Sequence, residues 1–353
     1  MYRKKIALAL CALLVVMAVL AGCGAKPAPK ETLEKAFQTA ADMKSADYKM
    51  TFAMNMDFPA DALAENPQLA VTAQMLKNME VAVTGAYQQE PFQMEMNIEA
   101  KLKGDMAMNI NLPIVMTDQK IWVKVPNIPM LPLPKDVVGK FVELDPKELA
   151  KQSDQKVNFD AATIKKQQEL GQEIGKVFFK HVDEKTFLSS VDKKDAKLPE
   201  TVEANQIVKF AVTNENLEPF ITTVAEKVLP EVLDLMMSDK YAKVFDFKKE
   251  DLEQAKKDLT ANSGDKLKSE IAKMKEDVKI KDLQITTAVN KKGFPVYHDV
   301  NVGLEVKENG KPSQIGANIK AEYSKINEKP EFKIGIPKDV ITLEQLMAKT
   351  NGM

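Results

Sequence analysis

Cysteine, histidine and tryptophan are scarce in this 353-residue sequence, which contains two, two and one of them respectively. Both cysteines, Cys11 and Cys23, lie within the first 23 residues, so the rest of the chain must be held by its core rather than by disulfide bonds. The histidines, His181 and His298, have no candidate nucleophile beside them in the sequence. No Gly-x-Ser-x-Gly, His-Glu-x-x-His, Cys-x-x-Cys or phosphate-loop motif occurs. We therefore expect a protein that is not an enzyme and that needs no cofactor.

An excess of charge of either sign is also missing. Lysine and arginine together number 50, aspartate and glutamate number 51, and both kinds are dispersed along the chain. This balance argues against a nucleic-acid partner and against a polybasic patch that binds lipid head groups. No second long apolar run follows residue 20, so we expect nothing else to span a membrane. The length and a hydrophobic content of 44% are sufficient for a sizeable core.

The first 23 residues carry a targeting pattern. Residues 3–5 are basic, residues 6–20 form an apolar run, and Leu20-Ala21-Gly22-Cys23 ends it. This arrangement is typical of an export signal, and its 15 apolar residues fall short of a membrane-spanning helix. The ending resembles a bacterial lipobox, in which the cysteine is acylated and becomes the new N-terminus. We predict a signal peptide at 1–22 and lipidation of Cys23.

The segment after Cys23 is predicted to be a short tether. Gly24–Glu31 contains Pro27 and Pro29 among small and charged residues, a composition typical of linkers. Because one acyl chain holds a protein only marginally at a membrane, lasting attachment implies several chains on Cys23. We therefore expect a lipidated tether at 23–31, a single folded domain at 32–353, and anchoring to the extracytoplasmic side of the cell membrane.

Alternation of apolar and polar residues dominates the first half of the folded part. Tyr48–Phe58 places six apolar residues in strict alternation, which predicts a half-buried antiparallel strand. Further strands are predicted over 79–87, 92–102, 106–112, 121–125 and 141–144. A proline-rich loop separates the last two. Short loops between alternating strands favour a large meandering antiparallel sheet.

Helical spacing appears at the start and in the middle of the chain. It predicts helices over 32–43 and about 164–178, and a helical block at about 214–279 in which Pro230 must kink a helix or begin a new one. Strands are predicted over 202–212, 283–289, 296–306 and 315–323, with a last short one at Lys333–Ile336. Asn309-Gly310 is a strong hairpin signal. Thr342 and Gln345 fit the capping box of a terminal helix.

Methionine is concentrated in the first strands, where 12 of the 17 methionines after residue 22 lie between Met43 and Met130. Because residues two apart share a face of a strand, one face gathers a set of apolar side chains. This set consists of Met50, Phe52, Met54, Met56, Met94, Met96, Met106 and Met108. Methionine is flexible and polarizable, and suits a surface that accepts irregular apolar shapes such as an acyl chain.

Two other interpretations of this face stay open. It is equally the pattern of a core on which helices pack, since apolar sheet faces are usually core. Thioethers are also soft ligands suited to copper(I). The region lacks the cysteine and histidine that usually accompany copper, and we predict no metal.

His298 and the most apolar helix have two interpretations each, whereas His181 has one. His298 falls in phase with Val296 and Val300, which is typical of a core histidine with its hydrogen bonds satisfied, yet the position also lets it meet the polar head of a ligand. His181 lies near a predicted helix C-terminus, where positive charge is favourable. The apolar segment from Phe220 to Met237 is either a buried core helix or a lid.

Several segments resemble the LolA/LppX-like bacterial lipoprotein superfamily. They are the first helix with the junction Lys44-Ser45-Ala46-Asp47-Tyr48, the Met-rich strand to Phe58, Ile121-Trp122-Val123-Lys124-Val125-Pro126, and Ile334-Gly335-Ile336-Pro337-Lys338-Asp339-Val340. The resemblance spans most of residues 32–340. It implies an α+β fold whose antiparallel sheet is curved as an unclosed half-barrel, with helices on the concave face and an apolar cavity between them. Known members carry or hold lipids and lipoprotein acyl chains.

From these features we expect a non-enzymatic surface lipoprotein that holds a lipid or acyl chain in the half-barrel cavity. Cys23 and the set of methionines with Phe52 and His298 are its candidate residues. Holding is expected rather than shuttling, because a soluble carrier is not itself lipidated. The alternative is an envelope structural protein whose half-barrel is filled by its own side chains and which docks an envelope protein partner.

Overall fold

The computed structural model describes residues 27–77, 79–102, 108–128, 133–146, 161–242, 247–308 and 310–350. The helices are α1 (Pro29–Ala40), α2 (Ala60–Glu65), α3 (Pro67–Lys77), α4 (Ala161–His181), α5 (Glu184–Phe187), α6 (Leu217–Thr223), a π-helix (Val224–Val228), α7 (Leu229–Met237), α8 (Lys249–Ala261), α9 (Asp265–Asp277) and α10 (Leu343–Thr350). The strands are β1 (Ser45–Asp57), β2 (Met79–Gln89), β3 (Phe92–Leu102), β4 (Met108–Thr117), β5 (Ile121–Lys124), β6 (Phe141–Leu144), β7 (Leu188–Ser190), β8 (Gln206–Ala211), β9 (Val278–Val289), β10 (Pro295–Glu308), β11 (Lys311–Ser324) and β12 (Val340–Thr342). Cys23, the signal segment and Met106 lie outside the described residues.

All the described strands join in one sheet with the order β12-β6-β5-β4-β3-β2-β1-β11-β10-β9-β8-β7. Every neighbouring pair is antiparallel except β12 with β6. Within the described part of the chain β12 and β7 are the two edges, so the sheet is not closed. The predicted α+β fold, an unclosed half-barrel with helices on its concave face, is confirmed.

The register assigns the apolar side chains of successive strands to the concave face. Met50 pairs with Val83 on β2 and Ala321 on β11, and Met96 pairs with Ile114 on β4. Since directly paired residues of antiparallel strands point to the same side, the predicted methionines of β1, β3 and β4 share this face. We call Met50, Phe52, Met54, Met56, Met94, Met96 and Met108 the Met-rich face.

Helices cover the concave face over β8 and the adjoining ends of β9 and β10, around Ile280. Val182, Phe187, Val212, Leu217 and Ile280 are buried together in one cluster. Phe178 of α4, Phe220 of α6 and Met274 of α9 pack against it. The apolar segment from Phe220 to Met237 therefore contributes to the core at its first turn.

Two breaks in the helical block follow from residue type. Pro230 lies in the first turn of α7, directly after the π-helix, because proline lacks the N–H that continues a preceding helix. Gly264 separates α8 from α9 at φ 66°, a left-handed conformation that glycine adopts without a Cβ clash. Both positions agree with the prediction.

A strap, residues 325–339, crosses the convex face from β11 to β12. The predicted strand at Lys333–Ile336 is wrong, because this segment pairs with none of the described strands. Instead, the backbone N–H groups of Ile334 and Gly335 donate to the Glu95 carboxylate at 2.8 and 2.6 Å. Glu95 lies between Met94 and Met96, so its side chain points to the convex side.

The C-terminal residues complete the other edge of the sheet. Val125, Val137, Val142 and Ile341 form a buried cluster against which Leu343 and Leu346 pack. Thr342 accepts from the Gln345 N–H while Gln345 accepts from the Thr342 N–H, so the predicted capping box is confirmed at the start of α10.

Some elements differ from the prediction. Helices α2 and α3, which follow β1, and the short α5 and β7 lie in segments for which the sequence predicts no helix or strand. Strand β4 continues past Pro113 to Thr117. Only Ile114–Met116 pair with β5, so the N–H that Pro113 lacks removes no hydrogen bond between β4 and β5. None of the described helices combines the length and apolar character needed to cross a membrane.

Candidate functional site

The Met-rich face is neither fully covered nor fully open. All seven of its side chains are half-buried. At its border, Ile319, which pairs with Phe52, is 40% exposed, and Ile285 of β9 is 39% exposed. An apolar strip therefore remains accessible between the helix-covered strands and the cluster at β6 and β12.

His298 lies on the concave face at the end of the sheet near α1. Its Nδ1 is 3.1 Å from the Thr287 hydroxyl oxygen, and its ring meets the Tyr323 ring edge-on at 6.4 Å between centroids. Burial lowers the pKa of this imidazole. These contacts are those of a core histidine with a hydrogen-bond partner.

His181 is the last residue of α4, as predicted. Its Nε2 lies 2.8 Å from Oε1 of Glu231 on α7, and Lys180 donates to the same carboxylate. These two side chains hold the pKa of Glu231 below its ordinary value. His181 thus joins two helices and lies apart from the Met-rich face.

A cavity of about 700 Å³ lies between the concave face and α4. Its floor includes Tyr87 and Gln89 of β2 and Phe92 of β3. Tyr87 pairs with Met94, and Phe92 precedes Met94 by two residues, so the floor and the Met-rich face share one side of the sheet. The cavity has the size of common small-molecule sites.

The roof of the cavity is the polar stripe of α4. Its side chains recur at helical spacing and are Lys165, Gln168, Glu169, Gln172, Glu173 and Lys176, joined by Lys240 after α7. Lys240 donates to Glu173 at 2.7 Å and lies 3.6 Å from Glu169. The Lys166 side chain holds the pKa of Glu169 below its ordinary value, and Lys240 does the same to Glu173, so both carboxylates are ionised at neutral pH.

Hydrogen bonds to the end of α1 fix the floor and roof. Tyr87 and Gln89 donate to the Met43 carbonyl at 3.3 and 3.0 Å. Gln172 donates from α4 to the Phe37 carbonyl at 2.9 Å. Because both sides of the cavity are attached to one helix and its following turn, its width is set by the fold.

A smaller cavity of about 330 Å³ lies beneath the strap on the convex side, lined by Asp47, Glu95, Lys325 and Lys333 among others. Lys325 pairs with Asp47 at 2.8 Å. Across the described part of the chain, no group of three or more histidine, cysteine or acidic residues is arranged to hold a metal ion.

Sequence reasoning missed the cavity and Glu95. The alternation over 79–87 places Tyr87 on a strand face but does not indicate a cavity. The polar run from Lys165 to Glu173 has the composition of any solvated helix surface. Glu95 likewise has the pattern of an exposed acid on the polar side of a strand. Only the packing of distant segments distinguishes these residues from their exposed equivalents.

Comparison with known proteins gives a limited result. A family model described as "Family of unknown function (DUF6612)" matches residues 236–345. No curated protein matches the sequence. The matched segment contains α8, α9 and β9–β11 but none of the Met-rich face, and of the cavity lining it contains Lys240 alone.

Proposed function

We propose that this protein is a lipid-anchored, non-enzymatic protein of the bacterial cell envelope that holds a lipid or acyl chain on its Met-rich face. The observation that carries the proposal is the accessible apolar strip, which lies on the same side of the sheet as the 700 Å³ cavity, where the floor residue Tyr87 pairs with Met94. Burying a chain there would remove apolar surface from water, a gain of about 0.8 kcal/mol per CH₂ group. Acyl chains on Cys23 place the protein at the membrane that supplies its ligand.

Native mass spectrometry with lipid extraction tests the ligand. The protein is purified from its own host as the chain from residue 23 onward with Cys23→Ser, and a bound lipid of one copy per chain is expected. Met54→Asp and Met96→Asp should abolish it, because each places a charge on the Met-rich face. Asn55→Asp and Asn97→Asp are matched controls on the opposite face of the same strands and should retain it.

A specific observation favours a second function. The aromatic side chains of Phe178, Phe187, Phe210 and Phe220 pack together, with ring centroids 5.8–6.0 Å apart, and fill the concave side over β8. A protein filled by its own side chains throughout would act as an envelope interaction module. A mass without ligand, unchanged after lipids are added, would support this function and reject lipid holding.

The anchor is tested separately. Full-length protein should sediment with membranes and gain mass in the N-terminal peptide that contains Cys23. Cys23→Ser should release the protein into the soluble extracytoplasmic fraction. A Cys23→Ser protein that stays at the membrane after its signal segment 1–22 has been removed would exclude lipidation as the means of attachment.

A further inference from the structure

We propose that the cavity beneath α4 receives the uncharged, hydroxyl-rich head group of an amphiphile whose chain lies on the Met-rich face. This inference rests on the proposed function and specifies its ligand class. It is carried by the position of the cavity, the chemistry of its lining and the spacing of its charges.

The position of the cavity joins it to the chain-binding surface. Tyr87 and Met94 are directly paired across β2 and β3, which brings their Cβ atoms to about 5 Å. A ligand whose chain covers Met94 would therefore place its other end beside Tyr87 on the cavity floor. The two ends of such a ligand would contact different groups. The chain would contact methionine thioethers, and the head group would contact the polar stripe of α4.

The lining offers donors and acceptors side by side. Gln89, Gln168 and Gln172 carry amides that each donate and accept hydrogen bonds, and Gln89 and Gln172 keep an acceptor oxygen and a second N–H besides the N–H that each donates to a backbone carbonyl. A hydroxyl group also donates and accepts, so several hydroxyls match such a surface better than a group that only accepts. The rings of Tyr87 and Phe92 add apolar surface suited to the C–H faces of a sugar.

The charges of the lining balance. The three lysines Lys165, Lys176 and Lys240 face three glutamates, Glu90, Glu169 and Glu173. Lys240 contacts two of those glutamates. Lys165 and Lys176 are 11 residues apart on α4, or about 16 Å at 1.5 Å per residue, so they do not converge on one phosphate. The site therefore selects neither an anionic nor a cationic head group.

Calorimetric titration with three 12-carbon amphiphiles, each below its critical micelle concentration, tests the inference. Dodecyl maltoside is neutral and hydroxyl-rich, dodecyl sulfate is anionic, and dodecyltrimethylammonium is cationic. We expect the chain from residue 23 with Cys23→Ser to bind the maltoside at least tenfold more tightly than either ion. On binding, amide hydrogen exchange should slow in 165–176 and in 87–92.

Two variants on adjacent positions of α4 locate the head group. Gln168→Trp places an indole ring in the cavity lining and should weaken maltoside binding at least tenfold. Gln167→Trp makes the same change one residue away, at a position that is exposed like Gln168 but lies outside the lining, and should leave affinity within twofold. Unchanged exchange of α4, or equal affinity of the two variants, would overturn the inference.

The outcomes separate this inference from the proposed function. Maltoside binding that Met54→Asp abolishes but Gln168→Trp leaves unchanged would overturn the head-group assignment and retain chain binding. Tighter binding of dodecyl sulfate or of the cationic amphiphile would likewise overturn the assignment. Failure of all three amphiphiles to bind would reject both the proposed function and the inference.

Discussion

The two halves of the sheet have the same apolar alternation but different covers. Over β8 and the adjoining ends of β9 and β10, helices bury the concave side in one cluster, in which Val182 and Val212 are each 2% exposed. Over β1–β4 the side chains of the Met-rich face are only half-buried, and Ile319 at the border is 40% exposed. The alternation of apolar and polar residues therefore determines which side of a strand is apolar. The covering helices determine whether that side is part of the core or an accessible surface.

The largest effect expected from this comparison is at Phe187. Phe187→Ala removes a ring stacked on Phe210 and edge-on to Phe220, and should lower the free energy of unfolding by about 3–5 kcal/mol. Phe52→Ala, on the open half, should cost about 1–2 kcal/mol because its side chain is already half in water. Urea unfolding measures both, and equal losses would refute the contrast.

The convex side of the open half has its own cover, the strap, which depends on Glu95. Glu95→Ala should cost about 2–3 kcal/mol, because it leaves two backbone N–H groups without their charged acceptor. Hydrogen exchange at Ile334 and Gly335 should accelerate. Glu99→Ala is the control, on the same face of β3 with a side chain 39% exposed, and should change stability by less than about 0.5 kcal/mol. Similar exchange in both variants would contradict the role of Glu95.

A smaller effect is expected at the border between the halves. Ile319→Thr keeps a β-branched side chain at an exposed position and should cost less than about 1 kcal/mol. Ile280→Thr, in the helix-covered cluster, should cost about 2–4 kcal/mol because it buries a hydroxyl. Thermal unfolding of the two variants shows which substitution lowers stability more. A larger loss for Ile319→Thr than for Ile280→Thr would show that the border is covered.

The smallest effect is a pH dependence at His298. Because burial lowers the pKa of this imidazole, the unfolded chain binds a proton there before the folded chain does. Stability from this group is therefore complete above about pH 6.5 and falls as the pH decreases below it. Urea unfolding between pH 7.5 and 5.5 should show a shallower loss for His298→Gln than for the parent protein. Parallel slopes would mean that His298 is protonated equally in both states.

Much of the secondary structure could be predicted from the sequence. The alternation of β1, β3, β10 and β11 gave strands whose ends agree within a few residues, because period two is unambiguous over long runs. Helices α2 and α3 were missed because residues 59–77 lack a clear period. Lys333–Ile336 was wrongly predicted as a strand because its hydrogen bonds go to a side chain.

The site could be predicted only in part. That the methionines share one face follows from strand periodicity, and the register confirms it. Their role in holding a ligand stays a prediction. The cavity could not be derived, because Phe92 and Gln168 belong to segments 76 positions apart that only tertiary packing brings together.

The pairing of β1 with β11 also dictates when the fold can form. Phe52 pairs with Ile319, 267 positions further along the chain. Proteins whose contacts join residues so far apart in the sequence fold slowly. Until residues 311–324 are available, β1 keeps an unpaired edge in the middle of the future sheet, open to association with other chains. Any fragment that ends before β11 therefore exposes this edge, and the shortest chain that protects it is nearly the whole protein.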